Sequence, residues 1–154
     1  MSSVISLYDR LVSVLSGRFF ESIALLFTRV ALAGIFWRSY QTKVVEGTWF
    51  QIDPFQYDLF RMEFSGLPLP VELSVPMATY AEFLFPVLLV LGLATRFSAL
   101  ALMIMALVIQ LFVFPTQAHF LGWAIMPIAM GLILIGRGAG TFSLDALIAK
   151  VRGQ

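Results

Sequence analysis

Residues 75–114 read VPMATYAEFLFPVLLVLGLATRFSALALMIMALVIQLFVF. Two apolar runs, 75–93 and 97–114, are separated there by only Ala94, Thr95 and Arg96. Each run approaches the ~20 residues a helix needs to cross a bilayer. A three-residue link between helices of that length permits only an antiparallel hairpin. Outward from this pair lie two further apolar runs, 19–40 on the N-terminal side and 120–135 on the C-terminal side. Of the 154 residues, 60% are hydrophobic and 12% charged, against about 45–50% and about 25% in soluble domains. A water-soluble fold of this size cannot hide so much apolar surface. The fold class is therefore all-α: an integral membrane four-helix bundle in a single domain spanning 1–154.

The flanks complete the expected architecture. Residues 4–17 place Val4, Leu7, Tyr8, Leu11, Val14 and Leu15 at helical spacing, and 143–151 repeat the pattern with Leu144, Leu147, Ile148 and Val151. Both are read as amphipathic helices on the membrane surface. Ser143 is a plausible N-cap for the second, with Asp145 in its first turn. Pro86 and Pro127 fall inside spans and predict kinks. The last run is short, which requires an upright helix or a thinner bilayer. Ala31, Leu32 and Ala33 resemble a signal-peptide cleavage site, but Arg29 interrupts the apolar region before it, and the run is read as a retained span.

Basic residues orient the bundle. Arg10, Arg18, Arg96, Arg137, Lys150 and Arg152 fall on one side of the four-span topology, and Lys43, Arg61 and Arg38 on the other. Positively charged loops stay cytoplasmic, so both termini are expected inside. The external segment, 44–74, is rich in aromatic residues. Asp53 and Pro54 predict a helix start, with Phe55, Leu59 and Met62 on one face and Tyr57, Phe60 and Phe64 on another. That helix is either a lid over the outer mouth of the bundle or an interfacial anchor.

Charged side chains at membrane depth normally face a partner or a wet cavity, which singles out Arg29, Arg38 and Glu82. The tilt of helical side chains brings Arg38 and Glu82 toward one another, while Arg29 reaches toward the inner interface. Three readings follow: a buried salt bridge that fixes helix register, a polar pocket for an anionic or quinone-like headgroup, or charges that snorkel without partners. Trp37, Tyr80 and His119 lie close enough in the topology to join Arg29, Arg38 and Glu82 in a candidate ligand site. His119 with Met126 and Met130 is too thin a donor set for a metal site, and methionine is an ordinary packing residue.

Several function classes fall away. The chain has no cysteine, which excludes disulfides, thiol redox chemistry and cysteine-ligated metal cofactors. The ten Lys and Arg form no run, so nucleic acid is not an expected partner. No phosphate-binding loop or Ser/His/Asp set is present. Any redox role therefore needs a bound cofactor such as a quinone, or a partner subunit.

Residues 29–37, RVALAGIFW, through Lys43, then Glu82 followed by LGLATRFSA at 91–99, and finally Gly136, Arg137, Gly138, Ala139 and Gly140 through Ser143, Leu144 and Asp145 occur in the order and spacing of the DoxX-like family, which the chain resembles. The sequence departs from the usual pattern at Arg38 and Ser39 and at Phe85 and Pro86. The resemblance implies a small four-helix inner-membrane protein, often associated with redox or stress systems and named after a subunit of a quinone oxidoreductase. The leading expectation is a membrane subunit binding quinone or another lipophilic ligand in an outer-facing pocket. The alternatives are a non-enzymatic anchor for a membrane or periplasmic protein partner, and a small transporter. Sequence does not set the oligomeric state.

Overall fold

A computed structural model describes residues 2–153, with side chains from residue 4 onward. Four long apolar helices form the bundle: α2 (Arg18–Gln41), α4 (Val71–Leu91), α5 (Thr95–Val113) and α6 (Gln117–Arg137). Three shorter helices flank them: α1 (Ser2–Leu15), α3 (Phe55–Glu63) and α7 (Leu144–Val151). Helix α2 packs chiefly on α4, and α5 on α6. Leu32, Phe36, Leu89, Leu102 and Leu134 fill the centre. Small residues bring α5 and α6 together, as membrane helices require in the absence of a hydrophobic drive between them. A Cβ at Gly131 would lie 2.9 Å from the Met103 Cβ.

Outside this core, Phe27, Val30, Leu84, Val90, Ile104 and Leu111 are exposed along the long helices. That surface suits lipid and not water. Four successive antiparallel crossings bring both termini to the same end of the bundle.

The turns show how the sequence stops each helix. Gly92 takes a left-handed conformation, φ +67°, after α4. Its N–H donates to Leu89 O at 3.0 Å and that of Leu93 to Leu88 O at 2.9 Å, a Schellman cap. Helix α4 begins at Val71, four residues before the apolar run, because Pro70 O accepts from the Leu73 and Ser74 N–H groups and starts the helix there. Helix α6 is longer than its apolar run suggests. Thr116 accepts from the His119 N–H at 3.2 Å and adds a polar first turn, giving 21 residues and removing any need for bilayer thinning.

Two π-wound turns, Ile109–Val113 at the end of α5 and Phe120–Ala124 within α6, flank the turn between those helices. The second lies just before Pro127, the kind of site where an interrupted ladder is accommodated. Helix α4 runs on through Pro76 and Pro86. The flanking segments are helical over Ser2–Leu15 and Leu144–Val151. Helix α1 exposes its side chains from Val4 onward, and α7 is capped by Ser143, which accepts from the Ala146 N–H at 3.1 Å.

Candidate functional site

Two polar constructions interrupt the bundle, one at each end. At the end bearing the termini, Arg29 of α2 is completely buried. Its guanidinium donates to Leu89 O at 3.3 Å, in the last turn of α4, and to Phe142 O. Gly92 lies against it: a Cβ there would sit 2.0 Å from the guanidinium and 2.5 Å from the Ser143 Cβ. Asp145 closes the corner from the other side. Its two carboxylate oxygens accept from the Ala94 and Thr95 N–H groups at 2.8 and 2.9 Å, while its own N–H donates to Gly92 O at 2.8 Å. The carboxylate thereby caps α5. Ser22 and Thr141 add a hydroxyl pair at 2.7 Å. This corner fastens α2, the α4–α5 turn and the segment before α7, and leaves Arg29 no open approach.

The other construction faces the opposite end. Glu82, 2% exposed, sits near the middle of α4. Lys43 Nζ lies 2.7 Å from Glu82 Oε2, and Ser39 Oγ donates to Glu82 Oε1 at 3.1 Å. Lys43 also donates to Ser39 Oγ at 2.7 Å, so each polar group holds the other two. The loop after α2 delivers Lys43: Lys43 O accepts from the Asp53 N–H at 3.0 Å, Val44 bridges Ile52, and the buried Gln56 amide donates to Thr42 O at 3.0 Å. Charges this far from water require such mutual satisfaction.

Above the triad lies a cavity of about 290 Å³, at the small end of the ligand-pocket range. Its walls are apolar: Met77, Ala78 and Ala81 from α4, and Ile104, Met105 and Val108 from α5. Helix α3 forms the roof. Asp53 accepts from the Phe55 N–H at 2.9 Å and starts that helix, which buries Phe60 and stacks it on Phe64 with ring centroids 4.3 Å apart. Both rings line the cavity, whereas Phe55 and Met62 face outward. The segment thus covers one side of the cavity. Met77 and Ile104 are half exposed on the outer surface of the bundle, so the cavity opens sideways between α4 and α5.

The six residues expected to share a site are dispersed. Glu82 alone lines this cavity. The expected contact between Arg38 and Glu82 is corrected: Arg38 is exposed, because Ser39 lies on the packed face of α2 and the preceding residue is rotated by about 100° from it. Arg29 is committed to the corner at the end bearing the termini. Trp37 joins Tyr40 and Phe83 in an aromatic cluster, with centroids 5.2 and 5.7 Å away. Tyr80 donates to Phe50 O at 3.2 Å, beside the same cluster. His119 stands at the α5–α6 turn, with Nδ1 2.7 Å from Gln110 Oε1 and its ring between Phe114 and Trp123. Sequence reasoning missed Ser39 and Lys43. The available clue was position: Ser39 lies on the stripe of α2 that continues through Phe36 and Leu32, and Lys43 is the first cation beyond the span.

The sequence model of DoxX matches residues 24–115. The chain belongs to the DoxX family. A relative from Haemophilus influenzae, named "Uncharacterized protein", is 35% identical over 137 residues, covering 85% of this chain and 87% of that one. No solved structure matches. The DoxX match takes in Arg29, Ser39, Lys43, Glu82 and the α4–α5 turn. The closing segment with Gly140 and Asp145 lies beyond it, yet packs directly onto Arg29 and Gly92. In this DoxX protein the three stretches that carried the resemblance thus divide between the two polar constructions: Lys43 and Glu82 belong to the cavity under α3, and Arg29, Gly92 and Asp145 to the corner at the end bearing the termini.

Proposed function

We propose that this multi-pass DoxX protein binds a lipophilic molecule with a small, uncharged polar headgroup, of the quinone class, in the cavity under α3. The observation that carries this reading is a neutral Lys43–Glu82–Ser39 triad at the floor of an apolar cavity that opens toward lipid. An unpaired charge there would draw a counter-ion; a satisfied pair favours a dipolar headgroup over a charged one. A tail can leave between Met77 and Ile104 without meeting water. The chain contributes binding and orientation, and any redox chemistry comes from the bound molecule or from a partner in a redox or stress pathway.

We further infer a bacterial inner membrane with both termini inside. The end bearing the termini holds seven of the ten basic and three of the nine acidic residues, a net +4, and the other end a net −3. That polarity supports the orientation. On this reading the cavity opens near the outer leaflet.

Mass spectrometry of extracts from the purified protein tests the ligand. A quinone or other long-chain neutral molecule above background, lost in Ala81→Phe, is the expected result. Background levels in both proteins overturn the reading. A second reading, an anchor for a membrane or periplasmic partner, is favoured by the exposed Trp49, Phe50, Phe55 and Met62 on the outer segment. It requires a stoichiometric partner on purification from native membranes, and a chain that always purifies alone contradicts it.

A further inference from the structure

A second cavity, of about 540 Å³, lies at the end of the bundle that bears the termini, between the α4–α5 turn and the segment joining α6 to α7. Arg96 and Arg137 line it from opposite sides, together with the backbone of Gly138–Gly140 and the start of α7. Among the described residues, no hydrogen bond or ion pair engages the Arg96 guanidinium, which lies over Gly138: a Cβ on that glycine would approach it at 3.5 Å. Among the described residues Arg137 is held only by Glu21, at 3.3 Å, with both side chains well exposed. Exposed pairs of this kind are weak and exchange readily. Asp145 also faces the cavity, but both its oxygens are consumed by the Ala94 and Thr95 N–H groups. Thr95 lines the cavity as well, and its buried hydroxyl has no hydrogen-bond partner.

The depth of this cavity is set by its surroundings. Phe97, adjacent to Arg96, is 63% exposed on the lipid-facing side of α5. Helices α1 and α7 present exposed apolar stripes at the same end, the latter through Leu144, Leu147, Ile148 and Val151. Such helices lie at the boundary between headgroups and acyl chains. The cavity therefore opens into the headgroup layer, with two guanidinium groups inside and an aromatic side chain just below.

We propose that this cavity is a binding site for the phosphodiester headgroup of an anionic phospholipid, gripped between Arg96 and Arg137, with the first acyl carbons against Phe97. Planar guanidinium groups match phosphate oxygens in paired hydrogen bonds, and basic pockets between helices at a membrane face recognise anionic headgroups. The site is independent of the cavity under α3.

Native mass spectrometry of the full chain, released from vesicles containing equal phosphatidylglycerol and phosphatidylcholine, tests it. The wild type is expected to retain phosphatidylglycerol preferentially. Arg96→Gln and Arg137→Gln should each weaken that preference roughly tenfold, as loss of a charge-assisted contact implies. Arg152→Gln, a neutralised charge on the same face but outside the cavity, should change it less than threefold. Arg96→Lys, which keeps the charge but not the fork, should fall between and guards against misfolding as the cause. Equal retention of the two lipids, or equal effects of Arg96→Gln and Arg152→Gln, overturns the site. Displacement of the bound lipid by millimolar glycerol phosphate overturns its assignment to a membrane lipid.

Discussion

Lys43 Nζ stands 2.7 Å from Glu82 Oε2, tying the loop beyond α2 to the middle of α4. Removing either partner leaves the other charge buried and alone, at a cost of about 3–5 kcal/mol. Glu82→Gln and Lys43→Met should therefore each lower thermal stability sharply. The double variant should recover much of the loss, since two apolar or neutral groups tolerate the site better than one stranded ion. Unfolding of the three variants in detergent, followed by tryptophan fluorescence, checks this; additive losses would contradict the pairing.

Gly92 and Gly34 make a matched comparison. At Gly92 a methyl group meets the Arg29 guanidinium and Ser143, and φ is +67°. Gly92→Ala should cost at least about 2 kcal/mol, combining the left-handed backbone penalty with overpacking. Nothing lies within 4 Å of a Cβ at Gly34, so Gly34→Ala should be neutral or slightly stabilising. Melting temperatures of the two variants give the test.

Asp145 acts as an N-cap for α5 from a distant part of the chain. Asp145→Ala should cost about 0.5–2 kcal/mol from the lost cap alone. Asp145→Asn should retain part of it, because an amide oxygen still accepts one N–H. Hydrogen exchange at Ala94 and Thr95 should accelerate in the alanine variant while exchange in the middle of α5 stays slow.

The roof of the outer cavity is two stacked rings. Phe60→Ala should cost about 3–5 kcal/mol, because the neighbours relax only partly into the space the ring leaves. Before that loss unfolds the chain, it should loosen α3: protease cleavage in the 55–63 segment should rise, and any bound lipophile should leave faster. Phe55→Ala, on the outward face, should do neither.

The four spans were legible because bilayer crossing is a demand on length and hydropathy that 75–93 and 97–114 meet openly. Boundaries moved where polar chemistry, invisible to hydropathy, starts or stops a helix: Pro70 O at the head of α4, Thr116 at the head of α6, Gly92 at the foot of α4. Glu82 was found from sequence because a carboxylate at that depth is rare. Its partner was not, since Lys43 lies past the end of α2 and returns only through the bridge between Val44 and Ile52. Arg29 was singled out as a charge inside a span, but its acceptors are the backbone carbonyls of Leu89 and Phe142, which carry no residue-type signature. Trp37, Tyr80 and His119 share the outer half of the bundle with Glu82 yet lie on other faces, and depth alone does not resolve azimuth.

On the proposed function, the gap between α4 and α5, with Met77 and Ile104 on its rim, alters how occupancy of the cavity under α3 is to be counted. A molecule entering by that route arrives already dissolved in the bilayer, so its mole fraction among the lipids, and not its concentration in water, sets the equilibrium. Aqueous titration of a soluble analogue would then report mainly how that analogue partitions.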